Sequence, residues 1–204
     1  MSFYGQFNTD FYISKYFPSD YIGTCIDIGM AEAISANNSY HFEQLGWTCL
    51  CVEPNPTYFE QAIGVRKIVE NVAVGAVDAD DVNFDIFNIN NGNFGAISSL
   101  RYDQRLVTSH AHMINNMQSI KVKVRTLDTI LSQHPEITQI DFISIDTEDT
   151  ELDVLKGFDI KRWSPKLMVI ENNFDEPFIA DYLKDFGYVR VERVEVNDFF
   201  VKSS

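Results

Sequence analysis

The sequence predicts an α/β domain of parallel strands that run into helices, and three observations carry the prediction. In residues 140–159 a short apolar run (Ile140, Phe142, Ile143, Ile145) meets Asp146, Glu148 and Asp149, and from Glu151 the apolar positions Leu152, Leu155 and Phe158 recur at helical spacing. Residues 25–53 repeat the strand, turn and helix order. Residues 187–202 alternate and turn like a β-hairpin, which suits an antiparallel last strand.

In chain order, Gly5-Gln6-Phe7 and Asp10 precede an aromatic-rich helix whose Phe11, Tyr12, Tyr16 and Phe17 read as a core stripe. A strand over 24–28 ends in Asp27-Ile28-Gly29, a small-residue turn follows, and a helix runs from about Asn38 to Leu45. The next strand, 48–52, ends in Glu53, 26 positions after Asp27, where a carboxylate accepts hydrogen bonds from both hydroxyls of a ribose. Gly29 is followed by Met30, Ala31, Glu32 and Ala33, so G-x-G-x-x-G fails, and no Walker A pattern occurs; a nucleoside without a pyrophosphate fits better. Lys121, Lys123 and Arg125 share one face of a strand over 120–125, read as a solvated face, and Thr126 caps an amphipathic helix carrying Leu127 and Leu131. Gly157 falls where the helix from Glu151 ends. A strand over 166–170 leads to Glu171-Asn172, and the terminal hairpin turns at Asn197-Asp198.

Residues 88–119 are rich in Asn and Gly and then carry Arg101, Arg105, His110 and His112. A connection this long reads as an acceptor-binding loop or insertion, with a short helix over 104–117 as the alternative. His110 and His112 would share a face if the segment were extended; they read either as a general base for an acceptor hydroxyl or as exposed loop histidines.

The 204 residues suit one domain with a sizeable core. A net charge of −14 and a pI near 4.5 argue against a nucleic-acid substrate, because phosphate backbones are held by clustered Lys and Arg. No apolar run is long enough to span a membrane, the polar start lacks a signal-peptide core, and Cys25, Cys49 and Cys51 read as reduced core thiols. The expected location is cytoplasmic.

The stretches GQFNTDFYISKYF, IDIGMAEAISANNSYHFEQLGW, CVEPNPTYF, NVAVG, VRTLDTIL, IDFISIDTEDTELDVLKGFD and PKLMVIEN, in order from Gly5 to Asn172, resemble the FkbM-type family of class I S-adenosylmethionine-dependent methyltransferases. The resemblance implies a Rossmann-like, doubly wound, mostly parallel seven-strand sheet, S-adenosylmethionine as methyl donor, and a hydroxyl acceptor on a sugar or secondary metabolite. It also implies that residues 1–20 fold over the cofactor, which raises Gln6. Ala31 and Ala33 stand where Asn and a second Gly are usual, and Asp149 where Gly follows the acidic motif.

On this reading Asp27, Gly29, Asn38, Ser39, Glu53 and Asn71 line the cofactor. Strands 140–145 and 166–170, adjacent in the expected order, bring Asp146, Glu171 and Asn172 together over the reacting methyl, an oxygen set that suits Mg²⁺ or Mn²⁺. Without a metal, Asp146 or Glu148 serves as base or fixes the substrate hydroxyls; Asp149 and Glu151 read as helix N-terminal acids. The expected reaction is O-methyl transfer to a sugar or glycan, with a partner glycosyltransferase domain acting in trans as one arrangement. The rivals are an N- or carboxyl-methyltransferase and a cofactor-binding relative without turnover, for which Ala31, Ala33 and Asp149 are the evidence.

Overall fold

The computed structural model describes residues 2–89, 98–101, 103–112 and 114–203. Its strands are β1 (Thr24–Ile28), β2 (Thr48–Val52), β3 (Ile68–Glu70), β4 (Ala73–Val74), β5 (Ala79–Ile89), β6 (Ile114–Arg125), β7 (Phe142–Ile145), β8 (Leu167–Glu171), β9 (Tyr188–Val194) and β10 (Asn197–Lys202). After a 3₁₀ turn at Gln6–Asn8 come the helices α1 (Thr9–Ser14), α2 (Tyr40–Gln44), α3 (Pro56–Ala62), α4 (Gln104–His110), α5 (Leu127–Ser132), α6 (Glu151–Lys156), α7 (Ile160–Trp163) and α8 (Phe178–Lys184).

Seven strands form one sheet in the order β3-β2-β1-β7-β8-β10-β9, parallel from β3 to β8 and antiparallel at β10 and β9. This is the mostly parallel sheet that the sequence predicts. The period-2 alternation of strands sorts its side chains between two cores. Ile26, Ile28, Leu50 and Ile143 pack with Leu127, Val154, Leu155 and Leu183 on one face, whereas Cys25, Cys49, Phe142 and Leu167 pack with Ile13, Phe42 and Trp47 on the other. All three cysteines are buried and free. Tyr12, Tyr16 and Phe17 join the second core as expected, while Phe11 is exposed.

Several local readings change. The terminal hairpin turns at Glu195-Val196, and Asn197 and Asp198 lie inside β10, because Glu195 takes the left-handed conformation (φ 52°). Gly157 does close α6, as expected, but with φ −88° it serves packing rather than a left-handed turn: its missing side chain leaves room for the Gly75 carbonyl, which a Cβ would approach to 2.1 Å. Residues 88–119 are not one connection. β5 runs to Ile89 and β6 begins at Ile114, paired antiparallel in a second sheet ordered β4-β6-β5, and the intervening chain includes α4. Most of the Asn/Gly-rich stretch, 90–97, lies outside the described residues. Lys121 and Lys123 are exposed and Arg125 pairs with Asp80, as a solvated face requires.

Candidate functional site

The sheet order reverses between β1 and β7, and ligands of open α/β sheets bind in the crevice at such a point. There the turn after β1 meets the turn after β7. Gly29 takes a left-handed φ of 77°, and a Cβ on it would stand 1.7 Å from the Asp146 carbonyl oxygen, so only glycine lets the two strand ends approach. A cavity of about 480 Å³ opens above this contact, within the range of small-molecule sites. Gly29, Ala31 and Glu53, the apolar Val72, Val74 and Phe84, and the acidic Asp146, Glu148 and Glu171 line it.

Glu53 is 4 % exposed and accepts from the Asn55 amide (2.7 Å) and the Ala31 amide (2.8 Å). Burial pushes its carboxyl up to about 7 against those two donors. Each oxygen keeps lone-pair capacity toward the cavity.

Asp146, Glu148 and Glu171 each bring a carboxylate oxygen within 4.8 Å of the others. Asp146 follows β7, and Glu171 ends the neighbouring β8, as the strand pairing dictates. Glu148 arrives through a turn in which Glu148 (φ 56°) and Asp149 (φ 82°) are both left-handed, a conformation uncommon in non-glycine residues and concentrated at functional sites. Three contacts hold that turn. Glu151, the first residue of α6, accepts from the Thr147 amide (2.8 Å) and hydroxyl (3.0 Å); Ser99 Oγ lies 2.7 Å from the Glu148 carbonyl; Asp149 accepts from the Asp103 amide (2.6 Å). Burial raises all three clustered carboxyls. Asp146 reaches about 6, while Glu171 and Glu148 go well above their ordinary value because each also faces the other carboxylates of the cluster.

Other expected residues support the site from outside the cavity lining. Asp27 accepts from Ser39 Oγ (2.6 Å) and Asn37 Nδ2 (3.1 Å), so both Asp27 and Ser39 are consumed in a buried network beneath the loop. Asn37 also receives the Ser39 and Tyr40 amides and Arg66 Nη1, and Arg66 is ion-paired with buried Glu43. Asn38 donates to Ser144 Oγ (3.1 Å), and Asn71 donates to the Glu53 carbonyl (2.8 Å), bracing the residue it was expected to assist. Asn172 is a second correction: its side chain bonds Asp198 (2.8 Å) and the Glu176 backbone, and Glu148 takes its place in the carboxylate group. Asp149 precedes the first residue of α6 by two and accepts from the Asp103 backbone amide, while Glu151 lies in the first turn of α6.

The chain start is pinned across the loop by the Gly5↔Ala36 bridge, by Asp10 receiving the Tyr4 amide (2.6 Å), and by the Ser2 carbonyl at His41, which sets Gln6 and Phe7 on the cavity rim. His110 also lines the cavity, at the end of α4, but exposed His112 lies in the following turn, so helical geometry breaks the shared face that alternation implied. Asn173, which hydrogen-bonds Glu148, and the Arg66 network were not anticipated. A buried arginine 23 residues from its glutamate leaves no local pattern in a sequence.

A family model described as the methyltransferase FkbM domain matches residues 27–190. No curated protein and no solved structure matches the chain. Among the described residues no helix is long and apolar enough to cross a membrane.

Proposed function

The chain belongs to the FkbM methyltransferase domain family, and on that footing we propose that it transfers a methyl group from S-adenosylmethionine to a hydroxyl oxygen of a sugar or glycan. The carboxylate group at the ends of β7 and β8, bordering the cavity at the sheet's reversal point, carries the reading. S-adenosylmethionine, when bound, supplies an electrophilic methyl on a sulfonium.

The residues present fit that group. Glu53 offers two partly committed oxygens for ribose hydroxyls, the Val72, Val74 and Phe84 wall suits a flat purine, and Gly29 opens the backbone for close approach. Gln6 and Phe7 cover the rim. Displacement at a methyl carbon is in-line, so most of the catalysis comes from holding the acceptor oxygen in place. Asp146, raised to about 6, takes the hydroxyl proton as the oxygen attacks, and Asn173 and Glu148 fix neighbouring hydroxyls. Glu171 stands beside Asp146 at the end of the adjacent strand. Asp146, Glu148 and Glu171 are also the donor set that Mg²⁺ or Mn²⁺ would take, and such an ion lowers the pKa of a bound hydroxyl. His110, which also lines the cavity, is the alternative base.

The test is release of S-adenosylhomocysteine with sugars, oligosaccharides, amines and carboxylic acids as acceptors. Turnover with sugars alone supports the proposal; methylation of an amine or carboxylate, with every sugar inert, replaces it.

A further inference from the structure

A second cavity, of about 310 Å³, lies beyond the carboxylate group, and Glu171 and Asn173 line both it and the larger one. Glu171 is 7 % exposed, and its Oε2 has no hydrogen-bond partner among the described residues. A buried carboxylate oxygen left without a donor is unfavourable, so this atom marks a place where a ligand's donor belongs. The outer wall is built by Asp103 and Arg105 at the start of α4, and by Phe174 and Phe178 around the start of α8.

Charge selects what can enter. Among the described residues two cations reach the cavity, and both are committed: Arg105 pairs with Asp103 (2.7 Å) and Glu176 (2.9 Å) and lies 3.9 Å over the Phe174 ring, while Arg101 pairs with Asp153 (3.3 Å). Asp103, Asp149, Glu151, Glu171 and Glu176 line the same space. A phosphate there meets carboxylates and no uncommitted cation, whereas its usual recognition takes paired donors from Arg or Lys. A neutral sugar ring meets complementary chemistry. Its hydroxyls donate to Glu171 Oε2, and its C–H face covers the ring of Phe178, which is 45 % exposed.

We propose that this second cavity is the acceptor subsite and that it takes an uncharged sugar ring in preference to a sugar phosphate or nucleotide sugar, an inference that rests on the sugar methyltransferase reading above. The experiment measures S-adenosylhomocysteine release with methyl glycosides and with the matching sugar 1-phosphates. The glycosides should show a kcat/KM at least tenfold higher. Phe178→Ala should raise the glycoside KM about tenfold while calorimetric S-adenosylmethionine affinity stays the same, and Glu176→Gln, by relieving Arg105 of one counter-charge, should narrow the preference against phosphate. Equal or better use of the phosphates, or an unchanged KM in Phe178→Ala, overturns the subsite while leaving sugar methylation standing. If amines are methylated and both sugar classes are inert, the sugar reading fails and the subsite falls with it.

Discussion

Glu53 should make cofactor affinity depend on pH. In the free protein its carboxyl sits near 7, raised by burial from an ordinary 4.5. Ribose hydroxyls donate hydrogen bonds, so the complex favours the ionised carboxylate and binding expels the proton. One pH unit below the folded pKa only about a tenth of Glu53 is ionised, so the dissociation constant at pH 6 should be roughly tenfold weaker than at pH 8, about 1.4 kcal/mol. The stability of the free protein runs the opposite way. A carboxyl raised on folding contributes stability that is fully present below about 4.5 and lost as pH rises through about 7, with an upper bound on the order of 3 kcal/mol for this shift. Calorimetric titration of S-adenosylmethionine from pH 5.5 to 8.5, in two buffers of different ionisation enthalpy, reads both affinity and proton release. Glu53→Gln should flatten the profile, and Glu53→Ala should weaken binding by about 2 kcal/mol or more. A flat wild-type profile with no proton release would refute the assignment of Glu53 to the ribose.

Gly29→Ala should lose about 3 kcal/mol or more in urea unfolding, since its Cβ would stand 1.7 Å from the Asp146 carbonyl at a left-handed φ; a loss below 1 kcal/mol would mean that the strand ends separate freely. Arg66→Met strands buried Glu43 and should cost about 3–5 kcal/mol by the same assay, and an unchanged midpoint would remove the ion pair from the fold's supports. If Mg²⁺ or Mn²⁺ takes the carboxylate group, exhaustive chelation with EDTA should abolish turnover while cofactor binding persists, and the ion should restore it; full activity after chelation rejects the metal and leaves Asp146 acting as base.

The central strands were legible because a strand buried on both faces reads as a near-continuous apolar run, as in β7 and β8, and such strands place their terminal carboxylates side by side. Asp146 beside Glu171 follows from that logic alone. What a side chain faces was less legible. Asp27 near the end of β1 and Ser39 just before α2 stand where the sequence places them, yet Asn37 and Arg66 tie them into a network beneath the loop, and Arg66 comes from the chain segment after α3. Glu148 joins the carboxylates through two left-handed residues that no propensity signals, and Asn172 is turned away by Asp198, a residue of the last strand. The first half of β6, ahead of the strand expected over 120–125, was hidden for a different reason. Between Asn115 and Ser119 β6 is exposed on both faces, which erases the period-2 pattern that announces a strand.

Asp146→Asn tests the methyl-transfer assignment most directly, because the amide keeps the size of the side chain and removes the charge that draws a proton or a metal. Calorimetric S-adenosylmethionine affinity should stay within about threefold of the wild type, while S-adenosylhomocysteine release with the best sugar acceptor falls by about 10²-fold or more. Turnover at the wild-type rate in a folded, cofactor-binding Asp146→Asn protein would contradict the placement of the reaction at the ends of β7 and β8.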